Sequence, residues 1–159
     1  LTNPARTQSQ ALVAARQRDT LGHVLGQASR LFHDRAVLAV QEAGFPEVRE
    51  SWIGLLRHLD PEGVRSSTLA ARLGVTRQAT GQLVTELERH GYLERVPDPL
   101  DGRAKLVRMT DRGWAAWAAG LQALANLQAE LTAAVGPDAI TTLLALGHDL
   151  VDALAPDAP

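Results

Sequence analysis

The sequence predicts a mostly α-helical chain with one small β-hairpin, a fold class that rests on three observations. Ala and Leu dominate the 159 residues, 45% of which are hydrophobic while only 4% are aromatic, so the core reads as helix packed on helix with small spacers. Apolar residues recur at three- and four-residue spacing over most of the chain. One stretch breaks that pattern: in "RVPDPLDGRAKLVRMT", residues 95–110, two prolines, two aspartates and a glycine interrupt the run, with four basic side chains around them.

The elements follow in order. After a polar, frayed start, Leu21, Leu25, Ala28, Leu31, Phe32 and Leu38 mark one face of a long amphipathic helix that "AGFP" ends. Pro46 suits the first turn of a second helix, whose buried face is Trp52, Ile53, Leu55, Leu56 and Leu59, and "DPEG" stops it. "SSTLAARLGV" reads as a short helix with a Ser cap, Gly74 turns the chain, and Thr76 caps the next helix, "RQATGQLVTELERHG", which Gly91 ends. "YLERV" and "AKLVRM" are strand candidates that pair around a turn-rich segment at 97–103. Thr110 then caps a long Ala-rich helix to about Ala134, and Gly136-Pro137 separates it from a last helix ending near Leu154. No internal repeat or low-complexity tract is present.

Composition excludes several function classes. The chain has no Cys, which removes thiolate zinc sites, disulfides and thiol redox sensing. No apolar run approaches the roughly 20 residues needed to span a bilayer, and "LTNPARTQSQ" is not a signal peptide, so a cytoplasmic protein with no membrane partner is expected. The five His residues lack paired-ligand spacing, "FHD" at 32–34 being the nearest approach to a metal constellation; no metal and no cofactor is expected. No phosphate loop or nucleophile elbow argues for an enzyme. Trp114 and Trp117 read as packing or dimer residues, and Trp52 as core. The formal charge of -2 hides an asymmetry: residues 65–112 hold nine basic against six acidic residues, a net of +3, while the remainder is -5.

Two helices joined by a tight glycine turn and followed by a hairpin make a winged helix-turn-helix. In the second helix Ala79, Leu83 and Leu87 fall at four-residue spacing toward the core, with Thr80 and Val84 beside them. At about 100° per residue the opposite face carries Gln78, Gly81 and Thr85, flanked by Arg77 and Gln82. Gln and Arg can read adenine and guanine edges in a major groove. Gly81 costs a helix roughly 1 kcal/mol relative to Ala, which makes sense where the backbone must come close to a partner.

Residues 67–113, "STLAARLGVTRQATGQLVTELERHGYLERVPDPLDGRAKLVRMTDRG", closely resemble the DNA-binding region of the MarR family of bacterial transcriptional regulators. "LERHGYLERV" and "DPLDGRAKLVRMTDRG" carry the resemblance, the second with the family's Asp-x-Arg wing signature as Asp101 and Arg103. A loop stiffened by Pro97 and Pro99 would project and carry Arg103 into a minor groove, where narrow A·T-rich DNA attracts a guanidinium. Asp101 is expected to pair with a nearby Arg and fix the wing's shape, as the resemblance also implies, and Lys105 and Arg108 to lie where phosphate contact occurs.

The expected organisation is a winged helix-turn-helix flanked by long N- and C-terminal dimerisation helices. Residues 1–43 form an N-terminal dimerisation helix region, 44–112 the DNA-binding region, and 113–159 the C-terminal dimerisation helices. The expected function is a repressor acting as a homodimer on a palindromic site in double-stranded DNA. The resemblance implies interlocking terminal helices and a small aromatic ligand that releases DNA. The candidate DNA-binding residues are Thr76, Arg77, Gln78, Gly81, Gln82, Thr85, Asp101, Arg103 and Lys105. The rival reading is an architectural DNA-binding protein without ligand control.

Overall fold

The computed structural model describes residues 20–155, so the polar start expected before the first helix lies outside the described residues. The elements are α1 (Leu21–Glu42), α2 (Glu50–Leu56), β1 (Val64–Arg65), α3 (Ser66–Leu73), α4 (Arg77–Arg89), β2 (Leu93–Asp98), β3 (Asp101–Met109), α5 (Asp111–Val135) and α6 (Pro137–Leu154). α1 packs along α5, and α5 turns by 120° into α6. The winged helix-turn-helix lies between α1 and α5 in the chain.

Local signals set most boundaries. The Thr20, Thr76 and Thr110 hydroxyls accept from the backbone N–H groups of His23, Ala79 and Gly113, capping α1, α4 and α5. Gly74 ends α3 with φ 64°, a left-handed turn that residues with a Cβ disfavour, and so brings α4 across α3. Two expected starts were wrong. Pro46 lies before α2, which begins at Glu50 with Arg49 as its N-cap, because the chain still turns through Phe45 and Val48 after α1. Ser66 is not a cap but the first residue of α3; Arg65 takes the cap position without a side-chain bond, since its backbone is extended in a strand.

That strand was not expected. Val64 and Arg65 pair with Val107 and Leu106, so the hairpin becomes a three-stranded antiparallel sheet in the order β1-β3-β2. The seven-residue loop expected at 97–103 is also much shorter. Pro97 pairs with Lys105 inside the ladder and Asp98 with Asp101, leaving Pro99 and Leu100 as the turn. The register shifts between Pro97 and Asp98, so Gly102, Arg103 and Ala104 bulge from β3 without partners on β2.

The core gathers under α4 and the sheet. Trp52, Leu55, Leu69, Val84, Leu87, Tyr92 and Val107 are fully buried, and each such aliphatic side chain contributes about 1.5–3 kcal/mol relative to exposure. The buried face of α4 is centred on Thr80, Val84 and Leu87; Ala79 and Leu83 are half-buried at its margin. Buried Thr80 donates its hydroxyl to the Thr76 carbonyl at 3.1 Å and so leaves no polar group unsatisfied.

The first turn of α5 is pressed against the end of the helix-turn-helix. A Cβ on Gly113 would lie 2.2 Å from the Tyr92 carbonyl oxygen and 3.2 Å from the Met109 Cβ, so only glycine allows this approach. Gly113→Ala should therefore destabilise the chain by about 1–3 kcal/mol or more, as overpacking does, in denaturant unfolding. Gly120→Ala, which meets nothing closer than Val40 at 3.7 Å, should be neutral or stabilising; equal losses for both would remove the steric explanation.

Candidate nucleic-acid interface

α4 presents a face that the core does not use. Arg77, Gln78, Gln82 and Thr85 are exposed, and Gly81 is half-buried between them. An added Cβ on Gly81 would meet nothing within 4 Å, so packing does not require glycine there. Gln78, Gly81, Gln82, Thr85, Glu86, Arg89 and Arg95 line one open groove beside the helix. Thr76 stands at its head with its hydroxyl engaged as the cap.

The acids along this helix are neutralised locally. Glu86 pairs with Arg49 and accepts from the Trp52 indole N–H at 3.4 Å, while Arg49 lies over the Trp52 ring at 5.2 Å. Glu88 pairs with Arg95, whose guanidinium also reaches the Thr85 hydroxyl at 3.4 Å. Arg95 belongs to β2, so this contact ties the base of the wing to α4. With both carboxylates paired, a polyanion approaching the Gln face meets little repulsion.

The wing is latched from the opposite strand. Asp98 is buried and takes the Arg65 guanidinium at 2.6 Å and the Leu100 backbone N–H at 2.9 Å. Arg65 also reaches Asp101 at 3.5 Å, and the other Asp101 oxygen accepts the Arg103 backbone N–H at 3.1 Å. Asp101 thus has an arginine partner, but Asp98 makes the shorter contacts. The Leu100 N–H, and after it the Arg65 guanidinium, hold the Asp98 carboxyl below the usual carboxylate range. A depressed value means that the latch adds stability above the unfolded-state pKa and loses it as the pH falls through the folded one.

Beyond the latch the cations differ. Arg108, expected on phosphate, pairs with Glu94 across the sheet at 2.8 Å. Arg103 and Lys105 are exposed, and among the described residues neither side chain forms an ion pair; the same holds for Arg77. Leu100 is 94% exposed at the tip. Sequence reasoning missed Arg65 and Asp98. Asp98, two residues before Leu100, had a readable Asx-turn signal, whereas Arg65 lies 33 residues away and had none.

Among the described residues no group of three or more His, Asp or Glu could hold a metal ion, and no single helix is long and apolar enough to cross a membrane. The helix-turn-helix and most of the wing, residues 48–104, match the model of the MarR family. That match covers about a third of the chain. A curated relative, the transcriptional activatory protein BadR of Rhodopseudomonas palustris, is 33% identical over 94 residues, covering 58% of this chain and 54% of BadR. The match therefore spans about half the length of that relative. Among solved structures, the transcriptional repressor CouR bound to a 23-mer DNA duplex is 24% identical, with a TM-score of 0.65, over 84% of this chain and 93% of the other. CouR from Rhodococcus jostii RHA1 bound to p-coumaroyl-CoA is 23% identical, with a TM-score of 0.67, over 90% and 96%. At these identities the structural likeness speaks for the MarR-like fold alone.

The latch assigns different jobs to the two wing acids. Asp98→Ala should speed hydrogen exchange of the Leu100 amide, measured by NMR, whereas Asp101→Ala should leave that amide protected and expose the Arg103 amide instead. Equal effects of the two substitutions on both amides would show that the wing does not depend on Asp98.

Proposed function

We propose that this chain is a MarR-family, sequence-specific DNA-binding transcriptional regulator that acts as a homodimer on a palindromic site in double-stranded DNA. The observation that carries the proposal is the α4 face of Arg77, Gln78, Gln82 and Thr85, freed of local negative charge, beside a latched wing with the unpaired cations Arg103 and Lys105. A helix with long hydrogen-bonding side chains suits a major groove, and a rigid wing suits the adjacent minor groove. Gln78 and Gln82 read base edges, and Gly81 lets the helix backbone approach between them. Arg77, Thr85 and Lys105 meet phosphates, Thr76 orients the first turn, and Asp101 holds the Arg103 backbone in place.

Dimerisation is supported by apolar surface that no described residue covers. α6 buries no residue, and its Leu143, Leu144, Leu146 and Val151 are 50–63% exposed. Leu21, Val24, Leu25 and Leu31 of α1 are exposed too. Such a surface on the terminal helices suits a two-fold partner, and two-fold symmetry suits two half-sites. The regulators named above include an activator and a repressor. The geometry serves either outcome, because the direction of regulation depends on where the site lies relative to the promoter. A small aromatic effector is the finer part of the proposal; the CouR structure bound to p-coumaroyl-CoA supports it.

The test compares a selected site with scrambled DNA of the same length. Gln78→Ala and Gln82→Ala should each lose about 1–3 kcal/mol on the selected site and little on scrambled DNA. Arg103→Ala should lose most where the flanks are A·T-rich, and Arg103→Lys should recover only part, since an ammonium is harder to strip of water. Gly81→Ala should raise the unfolding midpoint, with a gain of up to about 1 kcal/mol, yet weaken specific binding. Equal losses on both DNAs for the Gln variants would instead favour an architectural protein that reads shape and charge.

A further inference from the structure

The end of the recognition helix and the start of α5 are joined by an unusually complete set of contacts. Tyr92, three residues past the end of α4, is fully buried against Trp52, with ring centroids 5.4 Å apart. Its hydroxyl donates to the Glu47 carboxylate at 2.8 Å and accepts from the Arg112 guanidinium at 3.2 Å. Arg112 reaches Glu47 as well, at 3.1 Å, and lies over the Tyr92 ring at 4.8 Å and the Phe45 ring at 5.8 Å. The backbone is tied in the same place. The Thr110 N–H donates to the Tyr92 carbonyl at 3.1 Å, and the Thr110 hydroxyl donates to the Gly91 carbonyl at 2.6 Å. Gly113 then closes the gap that a side chain would hold open.

We propose that Glu47, Tyr92 and Arg112 are positioning residues that lock α4 to α5 as one rigid lever, so that the dimer helices set the spacing at which the two recognition helices meet DNA. The inference rests on the reading of a dimer on two half-sites. Its physical basis is that the three groups come from different segments: the α1–α2 connection, the α4–β2 junction and the first turn of α5. A tilt of the DNA-binding part about Thr110 would have to break the buried hydroxyl's hydrogen bonds and slide the guanidinium off both rings. The protonation states suit the lock. Burial first, and then the Glu47 carboxylate, raise the Tyr92 hydroxyl above its ordinary value, so it stays a donor at neutral pH. The Tyr92 hydroxyl is in turn the largest cause holding Glu47 below its ordinary value, so the carboxylate stays ionised toward Arg112.

The test measures binding to a set of duplexes in which one selected site has its half-sites moved apart or together by one or two base pairs. Each inserted base pair both shifts and rotates one half-site, so the wild-type chain should lose on the order of tenfold in affinity per step away from its optimum. Arg112→Ala, and Tyr92→Phe, which keeps the ring and removes only the hydroxyl, should flatten that penalty to about threefold or less. Both variants should stay dimeric in sedimentation and hold an isolated half-site as tightly as the wild type. A sharp wild-type optimum that both variants retain overturns the inference alone, as does an equal loss on the isolated half-site or a loss of the dimer. A wild-type chain with no spacing optimum overturns the two-half-site reading, and the inference with it.

Discussion

The molecule depends on how closely α5 can approach the end of the recognition helix. Because Gly113 has no side chain, the first turn of α5 lies on the Tyr92 backbone, and Thr110 can bond to both Tyr92 and Gly91 while it caps α5. This contact turns two weakly connected parts into one. α5 is the longest described helix and carries α1 along its length, so its placement against Tyr92 also fixes where α1 sits above the helix-turn-helix. The buried core around Trp52, Leu69, Val84 and Leu87 extends to Val40 of α1 and Ala116 of α5. The glycine contact determines how the winged region is held by the rest of the chain.

From that fixed frame the outward chemistry of α4 and the wing follows by local charge cancellation. The winged region carries the chain's excess of basic residues, but many of its arginines are spent inside the protein: Arg65 on Asp98, Arg95 on Glu88, Arg108 on Glu94 and Arg112 on Glu47. Among the described residues from 65 to 112, what remains outward without an ion pair is a short set on two elements, Arg77 and Arg89 on α4 and Arg103 and Lys105 on β3. The internal pairs are partly exposed and individually contribute little to stability. Their geometric effect is larger, since Arg95 ties β2 to α4 and Arg65 holds the wing turn through Asp98.

The sequence conveyed the element order because the helix signals were local. Thr76 and Thr110 stood where hydroxyls cap helices, and Gly74 stood where a left-handed turn was needed; α1 formed over its expected span, although it buries Ala36 and Val40 while Leu21, Leu25, Leu31 and Leu38 of its expected face are exposed. Failures came where nonlocal partners decided. Val64 and Arg65 form a strand only because β3 offers an open edge, and two residues carry no period of their own. The wing read as a long loop because Pro97 and Pro99 usually interrupt pairing, yet Pro97 is tolerated on β2, an edge strand that does not need its missing N–H. That Arg77, Gln78, Gln82 and Thr85 face outward was legible from spacing alone, even though the buried face of α4 is centred on Thr80, Val84 and Leu87 and not on Ala79 and Leu83. Asp98 was overshadowed by Asp101, whose spacing to Arg103 is the recognisable pattern, and Arg65 could be found only once the sheet brought it across.

Selecting bound duplexes from a random DNA pool tests the central claim most directly, because it asks in one step whether the chain reads sequence and whether it does so as a symmetric pair. A rigid dimer presenting two copies of α4 should enrich a motif of two similar half-sites in inverted orientation, their centres about one helical turn, roughly 10 base pairs, apart or a multiple of it. A pool that enriches nothing beyond general A·T content, or a single half-site with no fixed neighbour, would contradict it.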